Sequence, residues 1–138
     1  MELLLLADPS RSLVEEYLSR GMCYTAPDAA GSAVGVYVLL PTRPDTVELV
    51  NVAVAEPHQG KGIGKMLVTH AVGEARALGY RTIEVGTGST GVGQLALYQK
   101  CGFRMTGIDR DFFVRHYSEP IYENGMQLLD MVRLSQDV

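Results

Sequence analysis

The sequence has no tryptophan, few aromatic residues and only two cysteines, Cys23 and Cys101. These cysteines do not have the spacing of a disulfide framework or a metal site, and the three histidines are scattered along the chain. No apolar run approaches a membrane span, and the start of the chain lacks the features of a signal peptide. There is no basic patch, and the formal net charge of −4 argues against nucleic-acid binding. We therefore expect a cytoplasmic protein with no metal, no membrane and no nucleic acid among its partners.

A length of 138 residues suits a single domain with a sizeable core, which we predict over residues 1–138. Alternation and apolar runs predict strands over residues 2–7, 22–26, 33–40, 46–54, 82–86, 103–108 and 126–134. Helical spacing of apolar residues predicts helices that end near residues 20, 78 and 100. Residues 109–125 show no regular pattern. Antiparallel strands followed by helical crossovers predict an α+β sheet covered by helices.

A glycine-rich stretch, Gln59-Gly60-Lys61-Gly62-Ile63-Gly64-Lys65, lies between the strand over residues 46–54 and the helix that follows. Three glycines at alternate positions remove the Cβ atoms that would keep a ligand away from the backbone. The start of the helix leaves several N–H groups unpaired and carries a partial positive charge. This arrangement predicts a site for a phosphate or a pyrophosphate.

Two familiar phosphate motifs do not fit this stretch. A Walker loop requires Ser or Thr after Gly-Lys, but Met66 stands there. A dinucleotide fingerprint requires a third glycine where Lys65 stands. The remaining possibilities are glycines needed only for packing, or the pattern Gln/Arg-x-x-Gly-x-Gly/Ala.

That last pattern resembles motif A of the GCN5-related N-acetyltransferases, the GNAT superfamily. A second segment, Leu97-Tyr98-Gln99-Lys100-Cys101-Gly102-Phe103, resembles the family's L-Y-x-x-x-G-F motif. The resemblance covers roughly residues 47–108, and the tail is similar to that of small bacterial members with no assigned substrate. It implies a GNAT fold: a central mixed, mostly antiparallel, twisted sheet of six to seven strands flanked by helices. It also implies acetyl-CoA as cosubstrate.

The resemblance further implies which residues hold acetyl-CoA. The strand before the loop would bind the pantetheine arm through its backbone, and the loop would bind the pyrophosphate through main-chain N–H groups. The side chains of Lys61 and Lys65 either assist or lie in solvent. One departure is that Gly91 stands where the family often has a cofactor-binding asparagine, so Ser89 or Thr90 is the candidate for that polar contact. The implied cofactor residues are Val52, Ala53, Val54, Gln59, Gly60, Lys61, Gly62, Ile63, Gly64, Lys65, Ser89 and Thr90.

Tyr98 matches the family's tyrosine that gives a proton or a hydrogen bond to the departing sulfur, a role that suits a neutral phenol. The alternative is a tyrosine that only packs at a helix edge. Glu48 matches the glutamate that acts as a base in histone-type members. Strand periodicity places it on the same face as Val50, Val52 and Val54. The alternatives are an exposed strand glutamate and a water chain as the base.

The expected function is direct transfer of an acetyl group to a primary amine of a small molecule. A protein N-terminal or lysine acetyltransferase and a non-catalytic acyl-CoA-binding domain stay open as alternatives. The tail over residues 111–125 mixes aromatic and acidic residues, which fits binding of a cationic amine, a packed hairpin or a dimer contact. We expect a homodimer, as is common in this family.

Overall fold

A computed structural model describes all 138 residues, as two compact units. The first comprises Met1–Ile83 with Asp137–Val138, and the second comprises Glu84–Gln136. Six strands form a mixed sheet flanked by helices, which confirms the predicted α+β fold. None of the helices is long and apolar enough to cross a membrane. The expectation of a single domain over residues 1–138 stays a prediction.

The helices are α1 (Glu2–Ala7), α2 (Arg11–Arg20), α3 (Ile63–Ala77), α4 (Val92–Lys100) and α5 (Phe112–His116). The strands are β1 (Met22–Pro27), β2 (Ala33–Arg43), β3 (Thr46–Val54), β4 (Thr82–Gly88), β5 (Arg104–Asp109), β6 (Tyr122–Glu123), β7 (Met126–Gln127) and β8 (Met131–Asp137).

The first element is a helix, so the prediction of a strand over residues 2–7 was wrong. A short apolar run does not by itself distinguish a strand from a helix. This run consists of leucine, which favours helices, and Glu2 lies in the first turn, where a negative charge is favourable. The helix ends at Asp8, whose N–H donates to the Leu4 carbonyl, and Pro9 follows.

In the first unit, β2 lies between β1 and β3, antiparallel to both, and is buried on both faces. One face, here the α1/α2 face, carries the cluster of Leu4, Val14, Tyr17, Val36, Val38, Leu40 and Ala53. On the other, the α3 face, α3 approaches Gly35 so closely that a Cβ atom there would lie 2.8 Å from Leu67 Cδ1. The Tyr37 hydroxyl also lies 2.6 Å from His70 Nδ1, which fastens α3 to β2.

β3 contains one extra residue. Leu49 pairs with Leu39, whereas Asn51 pairs with the adjacent Val38, so Val50 has no partner of its own and forms a β-bulge. Such a bulge reverses the alternation of side chains for every residue on its far side.

In the second unit, β8 lies between β4 and β5 and is antiparallel to β5. The segment predicted to be irregular contains α5 and the first strand of a small hairpin, β6–β7. This hairpin also divides the closing strand predicted over residues 126–134, because only β8 of that range joins the main sheet.

The end of α2 provides a test of the close contact between that helix and β2. At Gly21 a Cβ atom would lie 2.9 Å from the Leu39 carbonyl oxygen and 2.8 Å from Val38 Cγ1. We expect Gly21→Ala to lower the free energy of unfolding by about 1–3 kcal/mol, because a backbone atom must shift. Gly73→Ala is the matched control: α3 has open space there, so that change should stabilise by about 0.5–1 kcal/mol. Urea unfolding of both variants measures the difference, and equal effects would contradict the expectation.

Candidate active site

The glycine-rich loop connects β3 to α3 as predicted, through a 3₁₀ turn at Glu56–His58. Gly60 and Gly62 have φ values of 78° and 82°, in the left-handed region that favours glycine. No other part of the chain lies within 4 Å of a Cβ atom built at either residue. Backbone conformation, not packing, therefore accounts for these two glycines.

The same loop presents a row of backbone N–H groups. The first hydrogen bond of α3 runs from the Met66 N–H to the Gly62 carbonyl, so the amides of Ile63, Gly64 and Lys65 have no acceptor within the helix. Gly60, Lys61 and Gly62 are exposed in front of them. The α3 dipole adds partial positive charge at this end. These groups fit a pyrophosphate, which offers the oxygen acceptors that the amides require.

Three side chains of the loop, those of Lys61, Lys65 and Gln59, were predicted to hold the cofactor. Lys61 and Lys65 are both exposed. The Gln59 side chain instead donates from Nε2 to the Val54 carbonyl at 3.0 Å, which ties the loop to the end of β3. Gln59 therefore shapes the loop in this structure.

The predicted pantetheine-binding segment forms the end of β3. Val52 and Val54 pair with Tyr37 and Gly35, so both valines belong to the α3 face. Both are half-buried, whereas Ala53 is buried on the α1/α2 face.

Glu48 lies on the opposite face from the one predicted. It pairs with Leu40, a member of the α1/α2 cluster, and therefore shares that face with Asn51 and Ala53. The prediction of a common face with Val52 and Val54 was wrong because the bulge at Val50 interrupts the period of two.

On the same face, Asp8, Tyr17 and Asn51 form a polar group that the sequence reasoning missed. Tyr17 and Asn51 are buried, and Asp8 is half-buried. Asn51 Nδ2 donates to the Tyr17 hydroxyl at 2.7 Å and to the Leu4 carbonyl at 2.9 Å. Tyr17 in turn lies 3.3 Å from Asp8 Oδ2, to which it donates. Asn51 Oδ1 is buried without a hydrogen-bond partner. The available signal was a single amide residue within an otherwise apolar stretch of β3, since a buried polar group needs partners.

The pKa of Tyr17 is raised, first by burial and then by the charges of Asp8 and Glu48. A hydrogen bond from Asn51 opposes that increase. The charge of Glu48 therefore acts on Tyr17. This face of β3 is thus rich in groups that accept protons or hydrogen bonds.

Tyr98 lies on a helix, as predicted; this helix is α4 of the second unit. Its ring is buried and packs edge-to-face on Phe103, with the two ring centroids 5.9 Å apart. Burial, with a smaller contribution from Cys101, raises the pKa of Tyr98 to about 12. The phenol is therefore neutral at pH 7 and can donate a proton or a hydrogen bond.

The loop before α4 packs closely around Gly91, which stands where the family often has an asparagine. A Cβ atom at Gly91 would lie 3.3 Å from Glu123 Oε1 and 3.0 Å from Gln94 Oε1, so little space exists for a side chain. Ser89 is exposed, whereas Thr90 is buried and its hydroxyl donates to Glu123 Oε1 at 2.9 Å. The predicted contacts of Ser89 and Thr90 with the cofactor stay predictions.

Comparison with known proteins agrees with these features. The sequence profile of the "Acetyltransferase (GNAT) family" matches residues 6–103. The chain is 61% identical over 137 residues to the uncharacterized N-acetyltransferase YvbK of Bacillus subtilis (strain 168), covering 99% of this chain and 88% of that protein.

Two solved structures are similar over 99% of this chain. A Bacillus subtilis acetyltransferase in complex with CoA is 60% identical, with a TM-score of 0.94 and 90% of that chain covered. An IAA acetyltransferase from Bacillus cereus ATCC 14579 is 55% identical, with a TM-score of 0.95 and 91% of that chain covered. With these relatives and the family profile, the chain belongs to the GNAT family of acetyltransferases and is an N-acetyltransferase that uses acetyl-CoA.

Proposed function

We propose that this N-acetyltransferase works in the cytoplasm and transfers the acetyl group directly to a primary amine of a small molecule. The observation that carries the proposal is the row of backbone N–H groups at the start of α3, which fits the pyrophosphate of acetyl-CoA. The negative net charge and the carboxylates of Asp8 and Glu48 suit a cationic acceptor.

A panel of acceptors tests this choice of substrate. Purified protein and acetyl-CoA would be incubated with spermidine, tyramine, lysine methyl ester and short peptides with free N-termini or lysines. Mass spectrometry would identify and quantify the acetylated products. Acetylation of a free small amine at a higher kcat/KM than any peptide supports the proposal. Preference for a peptide would instead favour the protein N-terminal or lysine acetyltransferase.

In this proposal the first unit holds the cosubstrate. The backbone groups of residues 52–54 bind the pantetheine arm, and the amides of residues 60–65 bind the pyrophosphate. Gln59 holds the loop in shape through the Val54 carbonyl. The exposed ammonium groups of Lys61 and Lys65 add attraction for phosphate, which weakens as salt increases. Ser89 and Thr90 are the candidates for a polar side-chain contact with the cofactor.

The left-handed glycine at the start of α3 gives a direct test of the loop. We expect Gly62→Ala to raise the Kd for acetyl-CoA roughly tenfold or more, because a left-handed backbone costs an alanine about 1–2 kcal/mol and the amides would reorient. Isothermal titration with acetyl-CoA measures this change.

Gly79→Ala is the matched control for that variant. Gly79 also has a positive φ, 89°, with open space around it, but it follows the other end of α3. Both variants should lose similar stability, and only Gly62→Ala should lose affinity. Equal Kd values for the two variants would exclude the loop as the pyrophosphate site.

Acetyl-CoA supplies the acetyl group as a thioester. The amine nitrogen forms a bond to the acetyl carbonyl carbon, the carbon–sulfur bond breaks, and the sulfur leaves as a thiolate. Tyr98 gives its hydroxyl proton to that sulfur. Burial raises the pKa of Tyr98 to about 12, so the phenol keeps its proton at neutral pH, and this favours a hydrogen bond from its O–H group to the developing thiolate as the form of that contribution.

Removal of the Tyr98 hydroxyl should slow the acetyl-transfer step without weakening the binding of acetyl-CoA. We expect Tyr98→Phe to lower kcat about 10²-fold, the usual size of a proton-transfer contribution, with the Kd for acetyl-CoA unchanged. Release of the CoA thiol reports kcat. Tyr122→Phe is the control, because that tyrosine is 69% exposed. Full activity in Tyr98→Phe would mean that a water molecule protonates the sulfur.

Glu48 is the proposed base that takes the proton lost by the amine. The bulge places it on the same face as Asn51, and its charge acts on Tyr17. If Glu48 is the base, Glu48→Gln removes the acidic limb of the kcat/KM profile against pH. An unchanged profile assigns the role to a water chain.

We further propose a homodimer formed through β5. This strand lies at the edge of the sheet, and Arg104–Ile108 are all exposed, including Met105 at 53% and Ile108 at 68%. An exposed edge strand offers unpaired backbone groups to a second copy. Light scattering should give about twice the 15.0 kDa chain mass. Ile108→Lys should yield monomers and the control Val114→Lys on α5 should not; a monomeric wild-type protein would refute the proposal.

A further inference from the structure

The β6–β7 hairpin holds the loop that leads into α4. Thr90, in that loop, is only 6% exposed and is bonded from two sides. Its hydroxyl donates to Glu123 Oε1 at 2.9 Å, and its carbonyl accepts from Asn124 Nδ2 at 2.7 Å. We name Thr90, Glu123 and Asn124 the clasp.

The geometry of the hairpin fixes the positions of the two clasp residues that it contributes. Tyr122–Glu123 pairs with Met126–Gln127 across a two-residue turn, Asn124-Gly125. Asn124 has a φ of 54° and Gly125 a φ of 76°, the two positive values that a type I′ turn requires. Asn124 therefore serves twice, because it tolerates the left-handed turn and its side chain reaches Thr90.

Other contacts hold the rest of the loop against the same segment. A Cβ atom at Gly88 would lie 2.6 Å from Leu128 Cδ1, so the residue directly after the hairpin packs on the backbone there. The Ser89 N–H donates to the Asp130 carbonyl at 3.0 Å. Leu128 is buried, and its N–H donates to Ile121 at 2.7 Å. Every residue from Gly88 to Thr90 is thus tied to residues 121–130.

The loop determines where α4 begins. Gly91 is the N-cap, its carbonyl accepts from the Leu95 N–H, and the Glu123 carboxylate lies close to it. A negative charge near the N-terminus of a helix interacts favourably with the helix dipole and stabilises the helix. Tyr98 follows seven residues later, roughly 10 Å along the helix at 1.5 Å per residue. A displacement of the N-terminal turn therefore moves the phenol, and a misplacement of about 1 Å can cost 10²-fold in rate.

We propose that the clasp is a positioning device for Tyr98: Thr90, bonded by Glu123 and Asn124, holds the start of α4 so that the phenol meets the departing sulfur. The inference rests on the proposed role of Tyr98 as proton donor. It assigns Thr90 to the clasp, whereas the family resemblance alone would make it a contact of the cofactor.

Two substitutions of one residue separate these roles. Thr90→Val keeps the shape of the side chain and removes the hydroxyl, and Thr90→Ser keeps the hydroxyl. We expect Thr90→Val to lower kcat about tenfold with the Kd for acetyl-CoA unchanged. Thr90→Ser should keep the kcat of the wild-type protein. Thr42→Val is the control, because that exposed hydroxyl at the end of β2 donates to the Thr46 carbonyl. The acceptor is the small amine acetylated fastest in the panel.

A second readout does not depend on turnover. Backbone amide exchange of Leu95 to Tyr98 should accelerate in Thr90→Val and return to the wild-type rate in Thr90→Ser, because a loosened loop frees the first turns of α4. Unchanged exchange in α4 would overturn the proposal, as would a Thr90→Val variant whose Kd for acetyl-CoA rises with kcat intact. The latter result would make Thr90 a cofactor contact.

The Tyr98→Phe background identifies the route. If the clasp acts through the phenol, Thr90→Val should cause no further loss of kcat once Tyr98 is phenylalanine, since the two effects are not additive. A full additional loss overturns the proposal. If Tyr98→Phe alone keeps full activity, both the proton-donor role and the clasp's route fail; if only Thr90→Val is silent, the clasp alone fails.

Discussion

The extra residue in β3 determines which side of the sheet the polar groups of the first unit occupy. With Val50 unpaired, Glu48 and Asn51 share the α1/α2 face, and Val52 and Val54 belong to the α3 face. A strand without the bulge would have placed Glu48 together with the valines. Asn51 would still have faced Tyr17 and Asp8, but the charge of Glu48 would have lain on the other side of the sheet from them.

Much of the fold followed from local signals in the sequence, because each had a single physical interpretation. The bounds of β3 and the end of α3 near residue 78 matched, since an apolar run, a glycine loop and an amphipathic helix follow one another there. α1 was missed because a run of leucines fits a strand or a helix equally well. The bulge was missed because an inserted residue leaves no mark on an apolar strand.

The site was predictable where it consists of main chain and unpredictable where it depends on tertiary contacts. Glycines at alternate positions indicate a backbone that approaches a ligand closely, and two of them, Gly60 and Gly62, have positive φ. The partners of Thr90 lie 33 and 34 residues away along the chain, in a segment with no regular pattern. Gly91 departs from the family's pattern, and the atoms close to it, Gln94 Oε1, Glu123 Oε1 and the Gly88 carbonyl oxygen, are brought there by the fold.

The loop between β3 and α3 has a chemical consequence of its own. A phosphate held by peptide N–H groups is held by donors that do not titrate, so such a site has no acid or base limb. Any change of acetyl-CoA affinity with acidity between pH 6 and 9 would then originate in the phosphates or in more distant side chains. When backbone N–H groups set the affinity for the cosubstrate, the pH dependence of the enzyme's activity comes from the acceptor amine and from the side chains that transfer the amine's protons.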